Sequence, residues 1–372
     1  MIENWIAERT HAFDSSGIRR VFDLASQLEN PIDLSIGQPH FDVPQPVKAA
    51  CMRAIEEGRN GYALTQGIPP LREQLQQEID RRLGHEDRRV LVTSGSSGGL
   101  VLAMLTLVDP GDEVIIFDPY FVMYESLVRL VGGIPVFVDT YPDFQIPLQQ
   151  VADRITGRTK MVLVNSPANP TGAVYSRETL KELAELCQQR DVVLVSDEIY
   201  RHFSYDEPFA SPADYNPHTL VIDGFSKSHA MTGWRVGVAH GPAAIIDAMT
   251  KIQQYTFVCS PQPAQWGALQ AMSTPIDEYV EAYKAKRDRI VEALSPHYRF
   301  ARPGGAFYIF AEAPGGDGTR FVQRAIAHEL LMIPGKVFSR QDTHFRLSYA
   351  AEDDTIDKGI DVLLELADDF ST

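Results

Sequence analysis

Short runs of apolar, often β-branched residues recur through the middle of the chain, and stretches with helical spacing lie between them. Runs that are apolar on both faces are typical of buried parallel strands, since helices cover such strands on both sides. We predict strands over residues 90–93, 113–117, 161–165, 192–196 and 219–223. The repeated order of strand, helix and strand predicts an α/β fold with a mostly parallel central sheet flanked by helices.

Outside this region the pattern changes. Leu71, Leu75, Ile79 and Leu83 form one apolar stripe, which predicts an amphipathic helix. From about residue 274, charged helical stretches alternate with strand-like segments such as AFYIF. This alternation predicts a second, smaller α+β domain. Further helices are predicted over residues 100–108, 177–189, 279–294, 321–331 and 355–366.

Composition narrows the class of protein. The 372 residues are 44% hydrophobic and 23% charged, which excludes a disordered chain and allows two to three domains at about 150 residues each. With 34 basic and 50 acidic residues the net charge is −16, so nucleic acid and anionic membranes are poor candidate partners. Cys51, Cys187 and Cys259 are too far apart in sequence to indicate a disulfide framework or a zinc site. The N-terminus lacks an apolar leader, and we therefore expect the protein in the cytoplasm.

The segment GFSKSHAMTGWRVG, residues 224–237, follows a predicted strand and carries the first candidate chemistry. Lys227 is expected just past the carboxyl end of that strand, where open α/β sheets bind their ligands. A buried lysine loses its proton more easily and can form a Schiff base. Arg235 carries a planar guanidinium, whose donors suit a phosphate group. Considered alone, Lys227 is explained at least as well by a solvated lysine in a polar loop.

Three more polar residues follow predicted strands. Asp197 ends an apolar strand, where a carboxylate needs a cation or a donor, and it could pair with a protonated ring nitrogen. Tyr200 lies three residues further on and could donate to the same ligand. Asn169 lies in the segment NSPANPTG after another strand, so it is expected at the same edge of the sheet. The alternatives are a helix N-cap for Asp197 and an ordinary β-turn for Asn169.

A glycine-rich segment, GSSGG at residues 95–99, lies between a predicted strand and a predicted helix. A loop of this kind presents free N–H groups and the positive end of a helix to an anion. The same letters match G-x-S-x-G, so a serine hydrolase with Ser97 as nucleophile and His344 downstream is a competing interpretation. Arg346 lies inside an apolar run; we expect it to be paired with a buried group, and a substrate carboxylate fits its fork.

Taken in order, these segments resemble the class I and II aminotransferases among the fold-type I pyridoxal-phosphate enzymes, in particular the bacterial branch similar to aspartate aminotransferase. The matching pieces are LSIGQP, Tyr62, GSSGG, DPYF, NSPANPTG, SDEIY, SKSHAMTGWRVG, PGGAFYIF and FRLSYA. Each piece alone is weak, but the ordered set covers nearly the whole chain and is specific. The resemblance implies a large cofactor-binding domain over residues 39–273 and a small domain formed by residues 1–38 with 274–372.

The resemblance also implies the site. Lys227 would form the Schiff base and carry the proton, Asp197 would pair with the ring nitrogen, and Tyr200 would donate to the phenolic oxygen. The residues implied for pyridoxal 5'-phosphate are Ser96, Ser97, Phe121, Asn169, Asp197, Tyr200, Lys227 and Arg235, with Tyr62 reaching the site of the neighbouring subunit in a homodimer. The residues implied for substrate are Gly37, Asn169 and Arg346.

The implied activity is transfer of an amino group from an L-amino acid to a 2-oxo acid such as 2-oxoglutarate. An aspartate-like donor and a broad or aromatic range of donors both fit the sequence. A β-elimination lyase on the same fold is one alternative. The serine hydrolase using Ser97 is another, and it leaves Lys227, Asn169 and Arg346 unexplained.

Overall fold

The computed structural model describes residues 5–13, 17, 28 and 30–371. The strands are β1 (Ile32–Asp33), β2 (Arg88–Thr93), β3 (Glu113–Asp118), β4 (Ile134–Asp139), β5 (Thr159–Asn165), β6 (Val193–Asp197), β7 (Leu220–Gly224), β8 (Gly237–Pro242), β9 (Tyr308–Glu312), β10 (Leu330–Leu331), β11 (Ile333–Pro334) and β12 (His344–Ser348). The α-helices are α1 (Gln45–Glu56), α2 (Pro69–Leu83), α3 (Gly95–Leu107), α4 (Met123–Leu130), α5 (Leu148–Arg154), α6 (Arg177–Gln189), α7 (Ala243–Tyr255), α8 (Gln262–Ala271), α9 (Asp277–Leu294), α10 (Gly318–Ala327) and α11 (Asp353–Ser371). Among these helices, none combines the length and the hydropathy that crossing a membrane requires.

A seven-stranded sheet forms in the described part of the chain, in the order β2-β8-β7-β6-β5-β3-β4. Neighbouring strands are parallel except for β8, which lies between β2 and β7 and runs antiparallel to both. The predicted α/β fold with a mostly parallel central sheet is therefore confirmed. The predicted strands correspond to β2, β3, β5, β6 and β7, each within two residues of its expected limits.

The apolar pattern misses β4 and β8. β4 is an edge strand of the sheet, and most of its residues are half-buried or exposed, so its sequence lacks a fully apolar run. β8 reads GVAHGP, and its glycines and proline have low strand propensity. Gly237 is needed there because a Cβ atom would lie 2.3 Å from the carbonyl carbon of Gly95 at the start of α3.

Three predicted helix limits are wrong by more than three residues, and one of them belongs to the last helix, which ends at Ser371 rather than near residue 366. α3 begins at Gly95, so GSSGG forms the first turn of the helix rather than a loop before it. The helix expected over residues 321–331 ends at Ala327. Glu329 then takes a positive φ of 61°, and the next two residues form β10, which pairs in parallel with β1. A local apolar pattern carries no information about a partner strand so distant in sequence, which explains the error at Ala327.

A second sheet, antiparallel and of order β11-β12-β9, lies in the C-terminal third of the chain. Its strands pack with α9, α10 and α11 in one hydrophobic cluster. Buried members of that cluster include Tyr283, Phe307, Phe321, Phe345 and Ile356. The pairing of β1 with β10 joins the N-terminal segment to this part. We propose the domain division expected above, residues 39–273 and residues 1–38 with 274–372, and these contacts support it.

Six of the seven strands, all except β8, have their carboxyl ends at one edge of the central sheet. β2, β5, β6 and β7 are parallel to one another and end at Thr93, Asn165, Asp197 and Gly224. The residues of these strands are buried on both faces, and polar groups are therefore concentrated where the strands end. The segments that follow carry the candidate chemistry.

Candidate active site

A cavity of about 290 Å³ opens at this edge of the sheet and brings together all but one of the predicted site residues. Its lining consists of Ile36, Gly37, Gln38, Ser96, Ser97, Leu100, Phe121, Tyr124, Asn165, Asn169, Asp197, Ile199, Tyr200, Ser226, Lys227, Thr232, Arg235, Tyr308 and Arg346. The exception is Tyr62, which is 87% exposed and does not line the cavity of its own chain.

Lys227 lies in the cavity three residues after the end of β7. Its Nζ donates a hydrogen bond of 2.6 Å to the carbonyl oxygen of Gly37. Burial, followed by the positive charges of Arg346 and Arg235, lowers the pKa of the Lys227 amine to about 8, although Asp197 opposes the shift. A large fraction of this amine is therefore neutral at mildly alkaline pH, as a nucleophile or base requires. A solvated surface lysine is excluded.

Gly37 has to be glycine because of its contact with a neighbouring ring. A Cβ atom at this position would lie 2.3 Å from Oη of Tyr308. The backbone of the segment containing Gly37 therefore approaches Tyr308 closely while its carbonyl holds the amine of Lys227.

Asp197 is the last residue of β6 and is buried. Tyr124 Oη donates a hydrogen bond of 2.8 Å to Oδ2, and the backbone N–H of Ile199 donates a longer one of 3.3 Å to Oδ1. Burial raises the pKa of the Asp197 carboxyl to about 6, although the hydrogen bond from Tyr124 lowers it. A turn follows Asp197, and no helix begins beside it, so the N-cap interpretation is wrong.

Arg346 is 1% exposed in the middle of β12. Its guanidinium donates to Oδ1 of Asn169 at 2.9 Å and to the carbonyl oxygen of Ser35 at 2.6 Å. The rings of Tyr308 and Phe338 lie on it, each with its centroid 4.5 Å from Cζ. The expectation of buried partners is confirmed, yet no carboxylate among the described residues pairs with Arg346. A buried positive charge with neutral partners is suited to an anionic ligand.

Asn165 and Tyr308 were not expected in the site. Asn165 Oδ1 accepts from the backbone N–H of Asn169 at 2.9 Å, and its Nδ2 donates to the carbonyl oxygen of Asp197 at 2.9 Å. Asn165 therefore links two predicted site residues, and its place at the end of β5 beside Asp197 was an available signal. Tyr308 shares a hydrogen bond of 2.7 Å with the hydroxyl of Tyr200.

We propose an anion site where α3 begins. Ser96 and Ser97 lie in its first turn, where backbone N–H groups have no partner within the helix. Arg235 adopts a positive φ of 57° and donates to the carbonyl oxygens of Thr232 at 2.8 Å and Ser94 at 3.4 Å. Gly95 leaves room for this guanidinium, because a Cβ atom there would lie 2.0 Å from it. Arg235 and the helix end thus present positive charge to the same cavity.

The serine hydrolase lacks the histidine base that it was expected to use. His344 stacks on the ring of Phe310, 5.0 Å between centroids, and does not line the cavity. No histidine occurs among the described residues that line the cavity with Ser97. The expected pair of Ser97 and His344 is therefore not formed, and a serine hydroxyl without its base is a poor nucleophile.

Comparison with known proteins shows the family of the chain. The sequence matches the family model described as aminotransferase class I and II over residues 29–363. The probable aspartate aminotransferase of Methanocaldococcus jannaschii is 37% identical, over 97% of this chain and 99% of its own. The aspartate/prephenate aminotransferase of Thermus thermophilus is 37% identical over 92% of each chain. The structure of the aspartate aminotransferase from Thermus thermophilus with maleate has a TM-score of 0.93 at 36% identity, covering 97% of this chain and 99% of that one. This chain therefore belongs to the class I and II aminotransferases.

Proposed function

We propose that this aminotransferase moves an amino group from an L-amino acid to a 2-oxo acid such as 2-oxoglutarate, with Lys227 as the residue that bonds to the cofactor. Enzymes of this family use pyridoxal 5'-phosphate. The observation that carries the proposal is the position of the Lys227 amine, in one cavity with a buried carboxylate, Asp197, and a buried guanidinium, Arg346.

The residues present fit the cofactor. The buried hydroxyl of Ser226 has no hydrogen-bond partner among the described residues and lies on the cavity wall. Together with Ser96, Ser97 and Arg235 it would hold the phosphate, because these groups supply donors and positive charge. Asn169 and Tyr200 would donate to the phenolic oxygen, and Phe121 would lie against the ring. When bound, pyridoxal phosphate supplies an aldehyde that bonds to amines and a ring that accepts an electron pair.

Asp197 would hold a proton on the ring nitrogen. Its carboxyl is buried and fixed by the hydrogen bond from Tyr124, so a positive charge beside it is stabilised without solvent rearrangement. A buried carboxylate without a cationic partner destabilises the protein, and the protonated ring nitrogen would be that partner for Asp197.

Lys227 would move the proton. An amine with a pKa of about 8 exchanges protons readily near neutral pH, and its hydrogen bond to Gly37 holds it at the cavity wall. Arg346 would bind the α-carboxylate of the substrate and so orient the Cα–H bond toward the amine. Positioning of this kind can lower a barrier by about 7–11 kcal/mol in the most favourable cases.

For the donor we propose a range that includes aspartate and aromatic amino acids. The names of two relatives support aspartate, since one is a probable aspartate aminotransferase and the other an aspartate/prephenate aminotransferase. The apolar side chains of Ile36, Leu100 and Phe121 on the cavity wall suit a side chain without charge. A screen of donors against 2-oxoglutarate and pyruvate, with the oxo acid products identified, tests this range. Release of ammonia from β-substituted donors would instead favour the β-elimination lyase.

The covalent role of Lys227 has a direct test. Reduction of the resting holoenzyme with borohydride, followed by digestion, is expected to leave the cofactor on the peptide that contains Lys227. A cofactor found on another lysine, or on none, would refute the proposal. The apoenzyme treated in the same way is the control.

Replacing Arg346 by lysine is expected to raise KM for amino acid donors by about 100-fold, because a point charge replaces a bidentate fork. The change in kcat/KM for a primary amine that lacks a carboxylate is expected to stay below about threefold. Arg287→Lys is the matched control: Arg287 is equally buried but pairs with Asp206 outside the cavity. Equal losses for the amine and the amino acid would contradict the assignment of Arg346 to the carboxylate.

We further propose a cytoplasmic homodimer in which Tyr62 completes the site of the neighbouring subunit. The exposure of Tyr62 and of nearby Leu64, 87% and 56%, supports a second copy covering this segment. The three cysteines are free thiols, as a reducing compartment would leave them. Sedimentation of the holoenzyme, together with Tyr62→Phe measured for cofactor affinity, tests the dimer and the shared site.

A further inference from the structure

Tyr124 was not expected in the site, yet it makes the shorter of the two hydrogen bonds to the Asp197 carboxyl. Its ring lies in α4 and is 3% exposed. The bond from its hydroxyl to Oδ2 is 2.8 Å, whereas the backbone bond from Ile199 to Oδ1 is 3.3 Å. A phenol donating to a buried carboxylate makes a charge-assisted hydrogen bond, stronger than a neutral one.

The charged and titratable groups around Asp197 come from four places in the chain besides its own strand. α4 supplies Tyr124, β7 supplies Asp223, and the segment after β7 supplies Lys227. The turn after β6 supplies Tyr200. Asp223 disfavours a charge on Asp197 and Lys227 favours it. Of these groups, only Tyr124 makes a side-chain hydrogen bond to the carboxyl.

We propose that Tyr124 is a positioning residue, which keeps the Asp197 carboxyl ionised and turns one of its oxygens toward the ring nitrogen of the cofactor. This rests on the proposed function, in which Asp197 faces that nitrogen. The hydrogen bond from Tyr124 fixes Oδ2, whereas Oδ1 has only the longer hydrogen bond from Ile199. Oδ1 is therefore the oxygen that can accept a hydrogen bond from a ligand.

The chemistry of the pair supports the direction of the effect. Burial raises the pKa of the Tyr124 phenol well above its ordinary value, so the hydroxyl remains a donor throughout the working pH range. The hydrogen bond lowers the pKa of the Asp197 carboxyl, which burial alone would raise beyond about 6. Removing the hydroxyl therefore makes Asp197 a weaker acid, and a protonated Asp197 cannot stabilise a protonated ring nitrogen.

The test begins with the apoenzyme, where the cofactor plays no part. Aspartate carboxyl carbons are labelled with ¹³C, and the Asp197 signal is assigned by its loss in Asp197→Asn. In Tyr124→Phe, the titration midpoint of Asp197 is expected to rise by about one pH unit, a tenfold weaker acid. Tyr120→Phe is the matched control, because Tyr120 donates to the Glu125 carboxylate from the same region but does not line the cavity. An unchanged midpoint in Tyr124→Phe would overturn the proposal.

The holoenzyme provides the second readout. The acid limb of the kcat/KM profile is expected to move to higher pH in Tyr124→Phe, so the loss is larger at pH 6 than at pH 8. A loss of the same size at every pH would mean a purely structural role and would overturn the proposal.

If Tyr124→Phe does not fold, 3-fluorotyrosine at position 124 provides another test. It keeps the ring, donates a stronger hydrogen bond and is expected to lower the titration midpoint of Asp197; an unchanged midpoint would overturn the proposal. If the wild-type enzyme failed to bind the cofactor, the proposed function would be refuted. The titration of the apoenzyme would still decide the role of Tyr124.

Discussion

Replacing Lys227 by alanine is expected to leave cofactor binding largely intact and to lower kcat by at least about 10⁴-fold. The proposed phosphate donors, among them Arg235, and the carboxylate of Asp197 are side chains that the substitution leaves in place, so the cofactor keeps these contacts. What disappears is the amine that we propose bonds to the cofactor and moves the proton. Cofactor affinity of the apoenzyme and single-turnover kinetics with a saturating donor measure the two effects separately.

Lys286→Ala is the matched control for this prediction. The Lys286 amine is also buried, but it donates to Ala351 and Asp353 away from the cavity. We expect it to lower the stability of the fold and to leave kcat within about threefold of the wild type. Turnover close to the wild type in Lys227→Ala would remove this residue from the mechanism.

Replacing Asp197 by alanine is expected to slow removal of the Cα proton by roughly 10³-fold or more, which corresponds to about 4 kcal/mol. Without the carboxylate, nothing among the described cavity-lining side chains carries a negative charge that could hold a proton on the ring nitrogen. Stopped-flow measurement of the proton-transfer step, with donor deuterated at Cα, reports this loss directly.

Glu198→Gln separates this effect from the general effect of losing a buried acid. Glu198 is the next residue in sequence, is 1% exposed and accepts from the Ser211 hydroxyl at 2.5 Å. Burial raises its pKa to about 7, so about half of this carboxyl is protonated at pH 7, and glutamine resembles that form. We expect a change below about threefold. A loss under tenfold in Asp197→Ala would mean that the ring nitrogen is handled by another group.

The strands of the sheet interior could be predicted closely, because burial on both faces requires apolar runs. The limits of α6 agree with the expected 177–189, and α9 begins two residues before the expected start at residue 279. β4, β8 and β10 could not be predicted in the same way. β4 is an edge strand, β8 is rich in glycine and β10 has only two residues. The position of each depends on neighbours far away in sequence.

The site could be predicted where a polar residue interrupts or follows an apolar run, as Asp197, Lys227 and Arg346 do. Tyr124 and Tyr308 gave no such signal, since an aromatic residue in a helix or a strand has the pattern of a core residue. Only the fold brings their hydroxyls to the Asp197 carboxyl and to Tyr200. The role of Tyr62 depends on a second chain and stays a prediction.

The reversed strand β8 has one further consequence. Neighbouring strands lie about 4.8 Å apart, so the end of β2, which leads into the anion site, is about 10 Å from the end of β7, which leads to Lys227. The spacing of the paired strands therefore sets the minimum length of a molecule that contacts both strand ends. Substitutions on the cavity wall can change which donors are accepted, while the reach required of the prosthetic group remains constant.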